Sequence, residues 1–408
     1  MSGEVVRPAA SWELAGILAD AAAERRSVQI VGAATKAAVG NAGSVDLTVQ
    51  TLGLRGIQNY DAHSGLIEAH AGTTLDELQS ELTRLGRMLP SDIADLGPLF
   101  GYPAGSGTLG GMAGAGLPGP RAAAVGPLAR QVRNFSVVLG DGREQSFGGE
   151  GAQSSAETGL AGAVFGGWGR YGVLTRVRFQ TDPLPETTAS LAVRGLTDDI
   201  AVDAIADALE SAPVVSGAVH LDASLAVRTP TLGGLGQTGE PVTLVRLEGR
   251  VDAMADTLAR MQVALAAYGA ADALDDATSR QIWAEIASLQ VFAGSGEPLW
   301  RVAVPASALA SVLATIRRVF DARVMIDNAG RAAWIELPFA ADAGVTEVRR
   351  SLANFGGLAT LVRAAPDIRA GTRCFQLMSP GLERIAAAAR RVFDPAGILS
   401  MDGRHVGA

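Results

Sequence analysis

The chain has few of the residues that build metal centres and covalent cross-links. Its 408 residues include one cysteine and four histidines. A single cysteine excludes an internal disulfide, a cysteine-ligated iron–sulfur cluster and a thiolate zinc site within the chain. The histidines are scattered along the sequence, so no dense group of metal ligands is visible. We therefore expect no metal in this chain.

Charged residues are also scarce, and long apolar runs are missing. Charged residues make up 19% of the chain against 48% hydrophobic residues, which favours sizeable buried cores over disorder. The net charge of −8 argues against nucleic acid or an anionic membrane as the main partner, because both attract basic surfaces. No segment reaches the roughly 18 uninterrupted apolar residues of a membrane span, and the N-terminal residues do not resemble a secretory signal. We expect a cytoplasmic protein.

Length and pattern predict two domains. A chain of 408 residues exceeds one ordinary domain, and the prolines of "DPLPE" interrupt the strand pattern near Pro185. We therefore place the first domain at residues 1–185 and the second at 186–408. Glycine, with 50 residues, clusters in the first of these, where it indicates sharp turns or close approach of the backbone to another group.

Several elements follow from local patterns. Ser11 is expected to cap a first helix over about residues 12–25, and Thr74 with Glu77 forms a capping box at the start of a second helix. "FSVVLGDGREQSFGG" predicts a hairpin with a Gly-Asp-Gly turn. After residue 186 the pattern is β-α-β, then a further strand and helix, and then β-α-β-β-α, which favours two ferredoxin-like α+β units sharing one antiparallel sheet.

The stretch "VGAATK" has the outline of a loop that holds a phosphate. An apolar strand leads into Gly32, two alanines, Thr35 and Lys36. Consecutive backbone amides in a tight turn can cradle an anion, and small side chains let the backbone approach it. Taken alone, such a short pattern is more often an ordinary turn with a solvated lysine.

Four stretches together carry a resemblance to a known family. They are, in chain order, "VGAATK", "AGTTLDEL", "GSGTLGGMAGAGLPGPR" and "RRVFDPAGIL". In this order and spacing they resemble the FAD-binding E subunit of bacterial glycolate oxidase, one of the FAD-linked oxidases of the vanillyl-alcohol oxidase or PCMH type. "LWRVAVP" and "NAGRAAWIEL" resemble the C-terminal half of that subunit. The resemblance implies an α+β fold, with a two-part PCMH-type FAD-binding domain followed by a ferredoxin-like FAD-linked oxidase C-terminal domain.

The resemblance also implies where FAD would bind. The diphosphate is expected against the backbone of the "VGAATK" loop and of residues 105–113, and the adenine against the strand after residue 171. The implied cofactor-binding residues are Gly32, Ala33, Ala34, Thr35, Lys36, Gly40, Ser106, Gly107, Thr108, Gly110, Gly111, Gly172 and Val173. No catalytic residue is implied, because no histidine here matches the ligands expected in the second half of the catalytic flavin subunit.

Two departures from the family pattern leave the state of this site open. The family loop reads Gly-Gly-Gly-[Ser/Thr]-Lys, whereas Ala33 and Ala34 stand here. A left-handed backbone at either alanine would cost roughly 1–2 kcal/mol. The family also has a Lys-Asn-Val-Ala-Gly-Tyr-Asp stretch close to the flavin. The corresponding positions here hold Gln153, Ser154, Glu157, Thr158 and Gly159.

Two functions therefore remain open. An FAD-carrying subunit would accept hydride or relay electrons, with a catalytic flavin subunit and an iron–sulfur subunit as its partners. A non-catalytic structural subunit would keep the fold but lose or weaken FAD binding. In either case the complex offers a peripheral position at the inner membrane as an alternative to a purely cytoplasmic one. An NAD-dependent Rossmann enzyme is disfavoured, because no Gly-x-Gly-x-x-Gly follows the first strand.

Other conspicuous residues have ordinary structural explanations. Arg301 or Arg331 could pair with a substrate carboxylate, but an arginine beside an aromatic core residue is more common. His63 and His70 match no covalent flavin anchor. No histidine stands near Cys374 in the sequence, so we expect a buried, small apolar residue rather than a nucleophile.

Overall fold

A computed structural model gives the architecture of the chain. It describes residues 3–399 except positions 42, 93, 149–161, 213, 236–238 and 339. The rewritten stretch with Gln153, Ser154, Glu157, Thr158 and Gly159 lies outside the described residues.

The first half combines a small parallel sheet with a larger antiparallel one. Strands β1, β3 and β2 form a three-stranded parallel sheet, β4-β5-β9-β7-β8 a five-stranded antiparallel sheet, and β6 pairs with β10. The elements are β1 (Glu4–Val6), α1 (Ser11–Glu24), β2 (Val28–Val31), β3 (Leu47–Gln50), β4 (Ile57–Asp61), β5 (Leu66–His70), α2 (Leu75–Arg84), β6 (Arg87–Met88), α3 (Leu109–Ala115), α4 (Ala122–Val125), β7 (Val132–Val138), β8 (Glu144–Gly148), β9 (Val173–Gln180) and β10 (Asp182–Pro183).

The local predictions for this half hold, except for the contact made by the Glu77 carboxylate and for the role of Ser11. The hairpin is β7 and β8, and Thr74 caps α2 by accepting a hydrogen bond from the amide of Glu77. The Glu77 carboxylate pairs with Arg55 at 2.6 Å. Ser11 is the first residue of α1 rather than its cap, and its hydroxyl donates to Glu144.

The second half is built on one eight-stranded sheet. Its order is β14-β11-β13-β12-β16-β17-β15-β18, and every pairing is antiparallel. The elements are β11 (Thr187–Arg194), α5 (Asp198–Ser211), β12 (Val215–Leu221), α6 (Ala223–Arg228), α7 (Pro230–Gly234), β13 (Val242–Gly249), α8 (Val251–Leu265), β14 (Ala271–Leu274), α9 (Asp276–Ala287), β15 (Leu299–Ala303), α10 (Ala306–Arg317), β16 (Arg323–Asp327), β17 (Ala332–Glu336), α11 (Val345–Leu352), β18 (Leu358–Arg363), α12 (Pro366–Gly371) and α13 (Pro380–Phe393).

The strand order confirms two ferredoxin-like units. Counted within each unit, the first sheet half runs 4-1-3-2 and the second runs 2-3-1-4, and strands β12 and β16 join the two through their edges. One face of the shared sheet packs on α5, α8, α10 and α11 through residues such as Ile205, Leu313 and Val348. The other face carries Met325 and Trp334, which share a core with Leu96 and Leu99 of the first half. The α+β fold class is therefore confirmed.

The last described segment returns to the first half. Phe393, at the end of α13, is buried in the same core as Phe135 of β7. Leu399 forms a bridge to Val28 of β2, whose amide bonds the carbonyl oxygen of Ile398 at 2.8 Å. The division at residue 185 stays a prediction, and these contacts attach residues 380–399 to the first half.

Candidate functional site

The "VGAATK" loop follows β2, and the packing at Gly32 and the backbone angle at Ala34 restrict which residues suit it. A Cβ atom on Gly32 would lie 2.1 Å from the hydroxyl oxygen of Thr108, so any larger residue would displace that side chain. Ala34 has φ of 60°, in the left-handed region, and Ala33 is not among the residues with positive φ. The strained alanine is thus Ala34, where the missing glycine costs about 1–2 kcal/mol.

The amides of this loop are open to a ligand. The amide of Ala37 bonds the carbonyl of Ala34 at 3.0 Å, and that of Val39 bonds the carbonyl of Lys36 at 2.9 Å, which closes the turn. Within the described part of the chain, the amides of residues 33–36 have no acceptor. Four consecutive N–H groups of this kind form an anion-binding nest.

Lys36 adds a positive charge to the nest. Its side chain is half-buried, and this burial lowers its pKa from the ordinary value of 10.5, against the opposing charge of Asp95. No carboxylate among the described residues lies within ion-pair distance of its ammonium group. A Cβ on Gly107 would lie 3.5 Å from Lys36 Nζ and 3.5 Å from Thr35 Oγ1, so all three groups converge at one point. Lys36 is thus a charged hydrogen-bond donor that has no anionic partner within ion-pair distance among the described residues.

The glycine-rich segment contributes a surface of small side chains, because several of its backbone amides already have acceptors. Helix α3 begins after Thr108, whose hydroxyl accepts from the amide of Gly111 at 3.1 Å. The amides of Leu109 and Gly110 donate to the carbonyls of Thr73 and Ala71 at 2.9 and 2.7 Å. The amide of Gly105 is also used, because it donates to Asp95 at 2.8 Å.

That residues 105–113 wrap a diphosphate with their amides stays a prediction, and few amides of this segment are open for it. The amides of Gly107 and Thr108 are the two in this segment that, within the described residues, have no acceptor. The rest of the segment contributes small side chains. Gly110 is fixed by packing, since a Cβ there would lie 2.8 Å from the Cβ of Ala71.

These elements line one cavity that opens to solvent. It holds about 910 Å³ of space between its walls, open solvent at its mouth included. Ten predicted residues line it together: Gly32, Ala33, Ala34, Thr35, Lys36, Thr108, Gly110, Gly111, Gly172 and Val173. The structure thus brings the loop, the α3 face and the start of β9 to one place. That these residues bind FAD stays a prediction.

Three predicted residues do not line the cavity. Gly107 lies just behind Lys36 and Thr35. The hydroxyl of Ser106 is turned to the carbonyl of Pro103, to which it donates at 2.6 Å. The carbonyl of Gly40 accepts from Arg369 at 3.1 Å. Ser106 and Gly40 therefore hold neighbouring backbone rather than the cavity wall.

Sequence reasoning missed several wall residues. Gly114 lies on the same face of α3 as Gly111, and a Cβ there would meet no atom within 4 Å. Trp168 adopts φ of 54°, its amide donates to the carbonyl of Gly114 at 2.9 Å, and its ring lies 5.6 Å from that of Phe375. The three-residue spacing of Gly111 and Gly114 within one helix is the pattern that could have identified this wall.

The cavity fits the diphosphate of a dinucleotide. Open amides at residues 33–36 and at Thr108 border it, together with the ammonium group of Lys36, which has no ion-pair partner among the described residues; none of the lining residues is acidic. The wall of glycine and alanine lets a ligand approach the backbone closely. Donors without acceptors, a cation and a wall free of side-chain bulk are what a phosphate needs. The residues present therefore fit FAD.

Neither arginine candidate for a carboxylate lines the cavity: Arg331 is exposed, and Arg301 is already paired. Arg301 pairs with Asp327 at 2.7 Å, and its guanidinium lies 4.8 Å from the ring centre of Trp334. Burial raises the pKa of Asp327, and the charge of Arg301 opposes this. Cys374 is fully buried, in keeping with a small core residue. In the described residues, no group of three His, Cys, Asp or Glu side chains could hold a metal ion.

An ion-pair network of two buried arginines and two half-buried carboxylates ties the second half to the segment before the glycine-rich loop. Arg121 contacts Asp92 at 3.2 Å and binds both carboxylate oxygens of Glu248. Arg246 pairs with the other oxygen of Asp92 at 2.7 Å. Burial alone would raise the pKa of Asp92, but the charges of Arg246 and Arg121 outweigh it and hold that pKa below its ordinary value.

Comparison with known proteins gives the class. Residues 3–148 match the family described as FAD binding domain. The whole chain resembles the structure of p-cresol methylhydroxylase with substrate bound, with a TM-score of 0.70 at 13% identity over 97% of this chain and 87% of that one. It also resembles alkyldihydroxyacetonephosphate synthase, with a TM-score of 0.62 at 10% identity over 97% of this chain and 76% of that one. At these identities the likeness concerns the fold, which is that of PCMH-type proteins with an FAD-binding domain.

A curated relative is similar over most of the chain. The chain is 28% identical, over 385 residues, to the glycolate oxidase subunit GlcE of Escherichia coli (strain K12), covering 93% of each protein. The chain is thus a homologue of GlcE that carries an FAD-binding domain. The resemblance drawn from the four sequence stretches is confirmed.

Proposed function

We propose that this chain is an FAD-binding subunit of a glycolate (2-hydroxy-acid) oxidase complex, and that FAD is held in the cavity beside the "VGAATK" loop. The homology to GlcE and the FAD-binding domain support the function. The observation that carries the retention of FAD is the nest of open amides at residues 33–36 beside the unpaired ammonium group of Lys36.

In this proposal each wall of the cavity has its own task. The amides of residues 33–36 and of Thr108 bind the diphosphate, and Lys36 neutralises part of its charge. Gly111 and Gly114 let the ligand lie against α3, and the backbone at Gly172 and Val173 borders the adenine. When bound, FAD supplies the acceptor for hydride or electrons from a CH–OH donor.

We infer that the partners are a catalytic flavin subunit and an iron–sulfur subunit. A flavin relay needs a further centre to pass single electrons onward, and one cysteine gives this chain no iron–sulfur cluster of its own. No helix in the described residues is long and apolar enough to cross a membrane. Location in the cytoplasm, with contact to the inner membrane made through the complex, is part of the proposal.

A structural subunit without FAD is the second candidate. One observation favours it: Trp168 and Phe375 pack together between the cavity and the eight-stranded sheet, in a core with Met325 and Trp334. Apolar side chains therefore occupy the junction of the two halves. A fold kept for assembly would need this junction and would not need the open amides.

The visible absorption spectrum of the purified chain separates the two candidates. The chain is purified alone and together with the two partner subunits, and the flavin released on denaturation is counted against protein. We expect flavin equimolar with the chain in the chain purified alone. A colourless chain, with no flavin in the complex beyond that of the catalytic subunit, would leave only the structural function.

A further inference from the structure

Helix α13 is held on the surface by one of its faces. Phe393 and Ala386 are 2% and 8% exposed, and the ring of Phe393 lies 6.1 Å from those of Phe147 and Tyr171. Pro380 begins the helix, and the hydroxyl of Ser379 caps it. Phe393 thus anchors the C-terminal end of the helix, and the Ser379 cap stabilises its first turn.

A second apolar face of α13 points away from the protein. Gly381, Ile385, Ala388 and Val392 follow one another at intervals of four, three and four residues, so they share one side of the helix; we name them the outer stripe. Ile385 and Val392 are 68% and 61% exposed, and the adjoining Leu382 is 56% exposed. A shallow groove runs along the N-terminal part of the stripe. These side chains are not buried against the rest of the chain, so packing within the protein does not explain why they are apolar.

Two arginines border the outer stripe on one side. Arg384 and Arg391 each precede a stripe residue by one position and stand seven residues apart. No carboxylate of the described residues pairs with either, whereas Arg390 on the other side pairs with Glu383 at 2.8 Å. The stripe thus has a positive edge on a chain of net charge −8. In helix pairs, charges beside an apolar seam contact opposite charges and select the partner.

The charges argue against a second copy of this chain as the occupant. Two antiparallel copies of α13 would bring Arg384 of one beside Arg391 of the other, and like charges across a seam repel. A lipid surface is also a poor match. The stripe has no aromatic side chain of the kind that anchors interfacial helices, and Gly381 and Ala388 instead suit the close approach of another helix.

We propose that the outer stripe of α13 is the docking site for an amphipathic helix of a partner subunit, whose apolar seam is flanked by aspartate or glutamate. The inference rests on the proposed function, which makes this chain one subunit of a complex. Ile385 and Val392 insert into the partner seam, and Arg384 and Arg391 pair with its carboxylates.

Co-expression of the tagged chain with the catalytic flavin and iron–sulfur subunits tests this surface. One variant carries Ile385→Glu and Val392→Glu, and another carries Arg384→Glu and Arg391→Glu. The matched control is Val263→Glu, on α8, because Val263 is 77% exposed and far from the stripe in sequence. Thermal unfolding of each variant verifies the fold. We expect both stripe variants to weaken co-purification by about tenfold or more, as removal of a central contact does, and the control to assemble as the wild type does.

Each other result overturns the inference in a distinguishable way. Stripe variants that assemble like the wild type place the interface elsewhere and leave the proposed function standing. A wild-type chain that binds neither subunit overturns the proposed function and the docking site together. A wild-type chain that dimerises alone, or that binds vesicles of anionic lipid, and loses this in the stripe variants identifies a second copy or a membrane as the occupant.

Discussion

Two neighbouring alanines in the phosphate loop differ in one backbone angle. Ala34 lies in the left-handed region, with φ of 60°, and Ala33 does not. The side chain of Ala34 meets the following carbonyl in this conformation, which an alanine tolerates at a cost of about 1–2 kcal/mol. The loop therefore keeps the shape of a glycine loop at one position while lacking the glycine.

We predict that Ala34→Gly increases the free energy of unfolding by about 1 kcal/mol, because glycine removes the strain of the left-handed backbone. Ala33→Gly is the control. Its backbone needs no glycine, so the added freedom of the unfolded chain should lower stability by up to about 1 kcal/mol. Urea unfolding of the three proteins measures both changes. Equal shifts for the two substitutions would contradict the assignment of the strain to Ala34.

Lys36 gives the second prediction at the scale of a residue. Burial holds its pKa below 10.5, and only the charged form, which is present below that pKa, attracts a diphosphate. We expect FAD affinity to fall as the pH rises through this lowered pKa. Lys36→Met should lose about 1.5–3 kcal/mol of binding at neutral pH, the worth of a hydrogen bond to a charged group.

Flavin titration over a pH series checks this, with Lys36→Arg as the comparison. A guanidinium stays charged throughout the range, so the arginine variant should bind FAD with little dependence on alkaline pH. A wild-type profile parallel to that of the arginine variant would show that Lys36 does not face the diphosphate.

At the scale of an element, helix α3 is shaped by what lies on each of its sides. Gly110 faces Ala71 of the protein, where a Cβ would be 2.8 Å from the Ala71 Cβ. Gly114 lines the cavity, where a Cβ would meet no protein atom within 4 Å. Gly110 allows α3 to pack against Ala71, and Gly114 leaves space in the cavity. We therefore expect the two positions to respond differently to substitution.

Gly114→Ala should separate stability from flavin binding. Alanine is favoured over glycine inside a helix by about 0.5–1 kcal/mol, so the flavin-free protein becomes more stable. The new methyl group narrows the cavity, and the flavin content falls. Gly16→Ala on α1 is the matched control, because a Cβ there also meets nothing within 4 Å and Gly16 does not line the cavity. It should give a similar gain in stability with unchanged flavin. Full flavin retention in Gly114→Ala would mean that α3 does not border the ligand.

Sequence reasoning succeeded where neighbours along the chain decide the structure. The cap at Thr74, the hairpin of β7 and β8 and the ferredoxin-like order follow from residues close in sequence. It missed what long-range packing decides. The occupied amides of Leu109 and Gly110 depend on the carbonyls of Thr73 and Ala71, and the return of Phe393 depends on a core about 250 residues earlier in the chain.

At the scale of the whole molecule, buried charges hold the two halves together. Arg121 and Asp92 come from the first half, and Arg246 and Glu248 from strand β13. Arg246 also lies 4.5 Å from the ring centre of Trp283. The same segment continues through Asp95, whose carboxylate holds the amide of Gly105, so the network sets where the glycine-rich loop sits against the eight-stranded sheet.

Breaking this network should destabilise the whole protein. Arg121→Met keeps an apolar chain of similar length but leaves two partly buried carboxylates with one arginine, which costs about 3 kcal/mol, at the low end for a broken buried pair. Arg143→Met, which removes an exposed pair with Asp141, is the control and should cost about 1 kcal/mol or less.

The pH dependence of stability gives a second readout of the same network. The arginines hold the pKa values of Asp92 and Glu248 below their ordinary values, against the effect of burial. The ion pairs therefore stabilise the fold fully when the pH is above the ordinary carboxyl pKa. This stabilisation is lost as the pH falls through the lowered pKa values. Thermal unfolding from neutral to acidic pH should show a steep loss in the wild type and a shallower one in Arg121→Met. Equal slopes, with a small change at neutral pH, would mean that the halves are held by their apolar contacts alone.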